Sequence, residues 1–313
     1  MAHSIPLKSL SLEVGDTPDV LICSASFEER CVAVPLNVAS DSLKHALVFH
    51  NRALRGLAQQ NLRKLRSKFG RKLIPVGHDG SGPIAFADIA RPALARVLDV
   101  PAINFLIDIT TFTHENLLIL LSLLREMKRE ADTFTVTYAA AADYGEWLSR
   151  GFSDVRSVLG YPGEMRPSQG EHLIVLCGYE ADRAERLIRT YEPAHLSVGH
   201  CNEFASIAPH LHQRNLEFHK RLLQFRSQVD TFDFGCDDPS TACEHILREV
   251  RRVPGYNAVV APMNTKLSTV GSALAAFQNP AIQLCYVPAH EYNEPSYSLP
   301  GEMCYVFKLT LSP

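Results

Sequence analysis

Asn264-Thr265-Lys266-Leu267-Ser268 sets a cation and two hydroxyls at what reads as the mouth of a helix. Free N–H groups and the positive end of the dipole already favour an anion there, so the chemistry suits a phosphate. The local alternative makes Thr265 or Ser268 an N-cap and Lys266 a solvated charge. Thr110-Thr111-Phe112-Thr113 holds the matching place earlier in the chain without a cation, and Thr113 reads there as an N-cap. Phe27 and Tyr179 each stand just past an apolar run, followed by Glu28 or Glu180 and then by Arg30 or Arg183. With Ser24 and Ser26, such residues can stack a base and take a ribose hydroxyl or base amino group. The aromatic can equally staple a helix start, with the arginine paired to a neighbouring acid.

An enzyme reading is open as well. Glu28 or Glu180, beside an apolar strand end, can serve as nucleophile or general base in a nucleotide hydrolase or glycosyl-transferring protein. No carboxylate-plus-partner signature demands it. Neither G-x-x-x-x-G-K-[ST] nor G-x-G-x-x-G follows a first strand, which removes ordinary kinase, ATPase and dehydrogenase readings and leaves no cofactor implied. His210, His212, His219 and His200-Cys201 match no usual zinc spacing, so no metal is expected.

The elements that carry these residues occur twice. Val20 to Cys23, Ala46 to Asn51, Leu73 to Gly77, Ile103 to Ile109 and Phe134 to Tyr138 recur in order as Leu173 to Cys177, Leu196 to Asn202, Asp230 to Gly235, Ala258 to Met263 and Ile282 to Tyr286. The offset is about 150 residues. Apolar, non-alternating strands followed by helices predict an α/β fold of two tandem Rossmann-like units with mostly parallel sheets, an internal duplication. The glycine- and proline-rich stretch Gly151 to Gly170 reads as the seam, giving repeats 1–160 and 161–313. Cys304 to Leu309 reads as an extra strand. In such sheets ligands sit outside the carboxyl ends of the strands where strand order reverses, here the loops after the first and fourth strands of each repeat.

Those loops resemble the CRISPR-associated Rossmann-fold (CARF) sensor domains and, more loosely, the Rossmann-like sensors of prokaryotic antiviral defence. The family's fourth strand opens a helix through a pattern like D-[IV]-T-G-G-T-K, and Asp108-Ile109-Thr110-Thr111 and Asn264-Thr265-Lys266 are similar to parts of it. The resemblance implies two domains paired about a two-fold axis, a cyclic oligonucleotide or other nucleotide bound across the pair, and output through a partner effector. The ligand-binding set it leads us to expect is Ser24, Ser26, Phe27, Glu28, Arg30, Thr110, Thr111, Thr113, Tyr179, Glu180, Arg183, Asn264, Thr265, Lys266 and Ser268.

Composition bounds these readings. The chain has 313 residues, 46% of them hydrophobic and 21% charged, enough for two folded domains. Its formal charge of −3 gives no global pull toward nucleic acid or anionic lipid, so any such affinity must be local. The one cationic stretch, Arg52 to Lys72, contains no acid; it reads as a solvated helix face or as a contact for nucleic acid or an acidic partner, in which case the chain is a structural subunit that docks on nucleic acid or a neighbour. Leu117 to Leu124 is far shorter than a membrane span, and Met1 to Val14 lacks a secretory pattern. A cytoplasmic protein with no membrane contact is expected. The eight cysteines form no C-x-x-C pair and read as reduced, buried thiols.

Overall fold

The computed structural model describes residues 1–15, 18–53, 55–80, 82–98, 103–225 and 228–311, though not the side chain at position 225. The glycine-rich loop of residues 77–82 therefore lies partly outside the described residues. Contacts divide the chain into two compact units. The first comprises residues 2–143 together with 298–313, and the second residues 144–297 together with Met1.

The first unit runs β1 (His3–Pro6), α1 (Leu10–Val14), β2 (Val20–Ala25), α2 (Ala33–Asn37), β3 (His45–Asn51), α3 (Gly56–Phe69), β4 (Leu73–His78), α4 (Pro83–Val97), β5 (Asn104–Asp108), α5 (His114–Met127) and β6 (Thr133–Tyr144). The second runs β7 (Ser149–Phe152), β8 (Arg156–Pro162), β9 (Glu171–Leu176), α6 (Ala181–Tyr191), β10 (His195–Cys201), α7 (Pro209–Leu222), β11 (Asp230–Phe234), α8 (Pro239–Arg252), β12 (Asn257–Pro262), α9 (Lys266–Gln278), β13 (Gln283–Tyr286) and β14 (Ala289–Tyr292). β15 (Ser298–Lys308) returns to the first unit.

The first sheet has the order β1-β15-β6-β5-β2-β3-β4, and the second β11-β10-β9-β12-β13-β8. The inner parts, β4-β3-β2-β5-β6 and β11-β10-β9-β12-β13, are parallel throughout. Each has the order 3-2-1-4-5, so strand order reverses between β2 and β5 in one unit and between β9 and β12 in the other. Two Rossmann-like units of one topology follow, which is the duplication read from the sequence. All six residues of β12 are buried, as a parallel strand covered on both faces requires.

The closing strand of each repeat lies in the sheet of the other unit. β8 follows β6 along the chain yet pairs antiparallel with β13. β15 follows β13 yet lies between β1 and β6, with the Leu309 N–H donating to the Phe134 carbonyl at 2.9 Å. β15 is thus an interior strand of the first sheet, and residue 160 falls inside β8, which belongs to the second unit. Cys201 and Cys236 also depart from expectation: they are joined as a disulfide, with Cα atoms 5.7 Å apart. The other six cysteines are free and buried. No helix among the described residues is long and apolar enough to cross a membrane.

Candidate functional site

At the first reversal point the loop after β2 is held from three sides. The Thr111 hydroxyl donates to the Ser24 carbonyl at 2.7 Å. From α3, buried Asn61 donates its amide to the carbonyls of Ser26 and Glu28 at 3.0 and 3.3 Å. The Ser26 hydroxyl accepts the Glu28 N–H at 3.3 Å, and Phe27 beside it is half-buried. Arg30, 3% exposed, pairs with the Glu28 carboxylate, donates to the Ala139 carbonyl at 3.0 Å and reaches the Ser298 hydroxyl of β15 at 3.1 Å. Ser298 in turn donates to Glu28 at 2.7 Å.

Asp108, the last residue of β5, is buried behind this pair and accepts from both the N–H and the hydroxyl of Thr110. Burial drives its carboxyl up to about 7, against the opposing pull of the Thr110 bonds and the Arg30 charge. The Thr110 hydroxyl also accepts the Ala139 N–H at 2.9 Å, and Thr113 caps α5 by accepting from the Asn116 N–H at 3.2 Å.

The second unit repeats the plan with other neighbours. Arg183, 5% exposed, donates to Glu180 at 2.9 Å and to the Val287 carbonyl at 2.7 Å, and lies over the Tyr286 ring at 4.7 Å. Its buried Nη2 has no hydrogen-bond partner among the described residues. The Ser149 hydroxyl of β7 bonds Glu180 as Ser298 bonds Glu28. Asn215 of α7 takes the place of Asn61, donating to the Cys177 and Gly178 carbonyls at 2.7 and 3.2 Å. Nearby, the Tyr286 hydroxyl and burial push Tyr292 well above its ordinary range.

The loop after β12 closes on the same carbonyl, because the Asn264 amide donates to Cys177. A Cβ at Gly178 would stand 1.9 Å from the Met263 carbonyl oxygen, so only glycine admits this approach. Thr265 caps α9, accepting from the Ser268 N–H at 3.1 Å and donating to the Cys236 carbonyl at 2.6 Å. Lys266, the first residue of α9, is half-buried, while Ser268 is fully buried and turns its hydroxyl to the Thr265 carbonyl at 2.9 Å. Tyr179 donates to the Leu211 carbonyl at 3.2 Å and carries Arg214 over its ring at 5.0 Å.

The expected residues thus gather at two reversal points, Ser24 to Arg30 with Thr110 to Thr113 in one unit and Tyr179 to Arg183 with Asn264 to Ser268 in the other. Sequence reasoning missed Asn61, Asn215, Ser149 and Ser298, all of which hold these loops. Glu28 and Glu180 are each joined to a buried arginine and a serine hydroxyl, an arrangement suited to fixing a loop.

The opposite, amino ends of the strands carry polar groups too. In the first unit a cavity of about 170 Å³ is lined in part by Asp19, Lys44, His45 and Arg96. In the second, buried His172 lies 2.7 Å from the Ser197 hydroxyl through Nε2 while its Nδ1 has no hydrogen-bond partner among the described residues. His195 meets Asp230 at 2.7 Å. Burial, with His195 adding to it, brings the His172 imidazole down to about 4. Among the described residues no group of three or more His, Cys, Asp or Glu is placed to hold a metal ion.

No family model matches the chain, and no curated protein does. Among solved structures, a functionally unknown protein, PA1789, from Pseudomonas aeruginosa PAO1 is 12% identical over 86% of this chain and 92% of its own, with a TM-score of 0.28. An NADPH-bound carbonyl reductase from chicken fatty liver is 10% identical over 90% and 94%, at 0.29. The cytoplasmic domain of a prokaryotic cation chloride cotransporter is 8% identical over 89% and 99%, at 0.27. Likenesses this slight carry no argument about function.

Proposed function

We propose that the chain binds a nucleotide-type ligand at the reversal point of the second unit and passes the bound state to a partner effector, in the setting of prokaryotic antiviral defence. The supporting observation is the mouth of α9. Lys266 is half-buried at its first position, beside the positive end of the helix dipole and within a loop that Thr265 and Asn264 hold in place. Phosphate meets the Lys266 charge there, with the Tyr179 ring, half-buried at the same reversal point, placed for a base.

Binding is favoured over turnover because Glu28 and Glu180 are both engaged by a buried arginine and a serine hydroxyl, which leaves neither as a ready nucleophile or base. The setting rests on the resemblance of the loops to CARF-like sensors. Isothermal titration with cyclic and linear nucleotides tests the reading. At least one should bind, and Lys266→Ala should weaken it about tenfold, the loss of one charge-assisted contact. Silence with every nucleotide, or unchanged affinity in Lys266→Ala, would discard this site.

A further inference from the structure

We propose that the solvent face of α3 docks the phosphate backbone of duplex nucleic acid. No acidic residue stands between Asp41 and Asp79 in the sequence, and α3 lies in the middle of that stretch. The helix buries Ala58, Asn61, Leu62, Leu65 and Phe69. Its cations are accordingly sorted to one side: Arg55, Arg63, Lys64, Arg66 and, just beyond the helix, Arg71 are exposed, with Lys68 half-buried. Arg55, Arg63, Arg66, Lys68 and Arg71 have no ion pair or hydrogen bond to another side chain among the described residues.

The counterpart helix α7 lacks this property. Its Arg214 donates to the Tyr144 carbonyl at 2.7 Å and covers Tyr179, its Arg221 pairs with Asp182, and it carries Glu217. The cationic face is therefore no general feature of the repeat.

Chemistry selects the partner. A helix that binds a membrane surface inserts its apolar side, but that side of α3 is packed in its own core. Protein interfaces centre on apolar or aromatic anchors. Between these cations stand Gln59, Gln60 and Ser67, and only Leu57, in the first turn, is an exposed large apolar residue of the helix. Single strands are held by stacking on aromatic side chains, and Phe69, the aromatic residue of α3, is buried. What remains is a row of charge, rich in the arginine fork that fits phosphate. At about 1.5 Å per residue the helix is about 21 Å long, matching about six phosphates at about 3.4 Å of axis each.

The test is fluorescence anisotropy of labelled 20-base-pair DNA and RNA duplexes with the full chain across a salt series. Micromolar binding at low salt is expected, with a slope of log K against log salt of about −4 to −5 for roughly five contacts. Arg63→Ala combined with Arg66→Ala should reduce that slope by about 2 and weaken binding at least tenfold, with an unchanged circular dichroism spectrum. Arg91→Ala, which removes an exposed arginine of α4 paired with Glu126 of α5, should change neither. Duplex binding that is absent at low salt, or unaltered in the double variant, would overturn the proposal. So would tighter binding to a single strand, to phosphatidylserine vesicles or to polyglutamate. DNA and RNA arms identify which duplex is preferred.

Discussion

Arg30 in the first unit and Arg183 in the second are buried at the same point of the repeat, each beside a glutamate, a serine hydroxyl that bonds that glutamate, and a backbone carbonyl on or just past the fifth strand. Their surroundings differ. β12 carries no acid to match Asp108, which lies behind Arg30, and Arg183 instead gains the Tyr286 ring and keeps Nη2 without a hydrogen-bond partner among the described residues. One architecture thus holds its loops by a buried acid network on one side and by an aromatic shelf on the other. The Glu–Arg–Ser group belongs to the scaffold, and individuality lies in what surrounds it.

Removing the arginines breaks that comparison most sharply. Arg30→Met leaves the half-buried Glu28 without its cation and should cost about 3 kcal/mol in urea denaturation, the lower end of the range for one half of a buried pair. Arg183→Met should cost about 1 kcal/mol less, because its side chain makes fewer bonds. Equal losses would mean that the neighbours are irrelevant. A loss below 1 kcal/mol at both would show that neither pair is closed in solution.

The pH response should separate the units in opposite directions. Asp108 is raised from 3.8 to about 7, so the stability its neutral form allows is complete below pH 4 and is lost as pH rises to 7. His172 is lowered from 6.5 to about 4, so its contribution is complete above pH 6.5 and is lost as pH falls to 4. Each shift corresponds to roughly 3–4 kcal/mol. Hydrogen exchange read on β5 and on β9 should show the first opening more easily toward pH 8 and the second toward pH 4. Asp108→Asn, which keeps an acceptor for Thr110, should flatten the former trend, and His172→Gln the latter. Parallel trends in both units would contradict these assignments.

The sequence is informative where local pattern decides structure and silent where distant strands do. Apolar runs mark the strands of both inner sheets, and the paired Glu28/Arg30 and Glu180/Arg183 already point to one repeated device. Ser298 could not be joined to Glu28, because the bond depends on β15 crossing to the other unit's sheet. The seam misleads for the same reason: its glycines and prolines punctuate β8, which belongs to the second sheet. Asn61 was legible in principle, since it falls in the apolar stripe of Ala58, Leu62, Leu65 and Phe69 where a polar residue needs a buried partner. The surrounding charges obscured it. A spacing of 35 residues between Cys201 and Cys236 carries no signal that they meet.

The smallest effect concerns the two helix caps at the reversal points. Thr113 and Thr265 each accept an N–H three residues on, so either alanine variant should cost about 1 kcal/mol. Thr265 does more, because its hydroxyl also donates to the Cys236 carbonyl and so ties the mouth of α9 to the loop after β11. Thr265→Ala should therefore cost about 1 kcal/mol beyond Thr113→Ala in thermal unfolding. Thr265→Ser, retaining both bonds, should recover most of the loss. A serine variant as unstable as the alanine would make the methyl group's packing, rather than the two hydroxyl bonds, the cause of the loss.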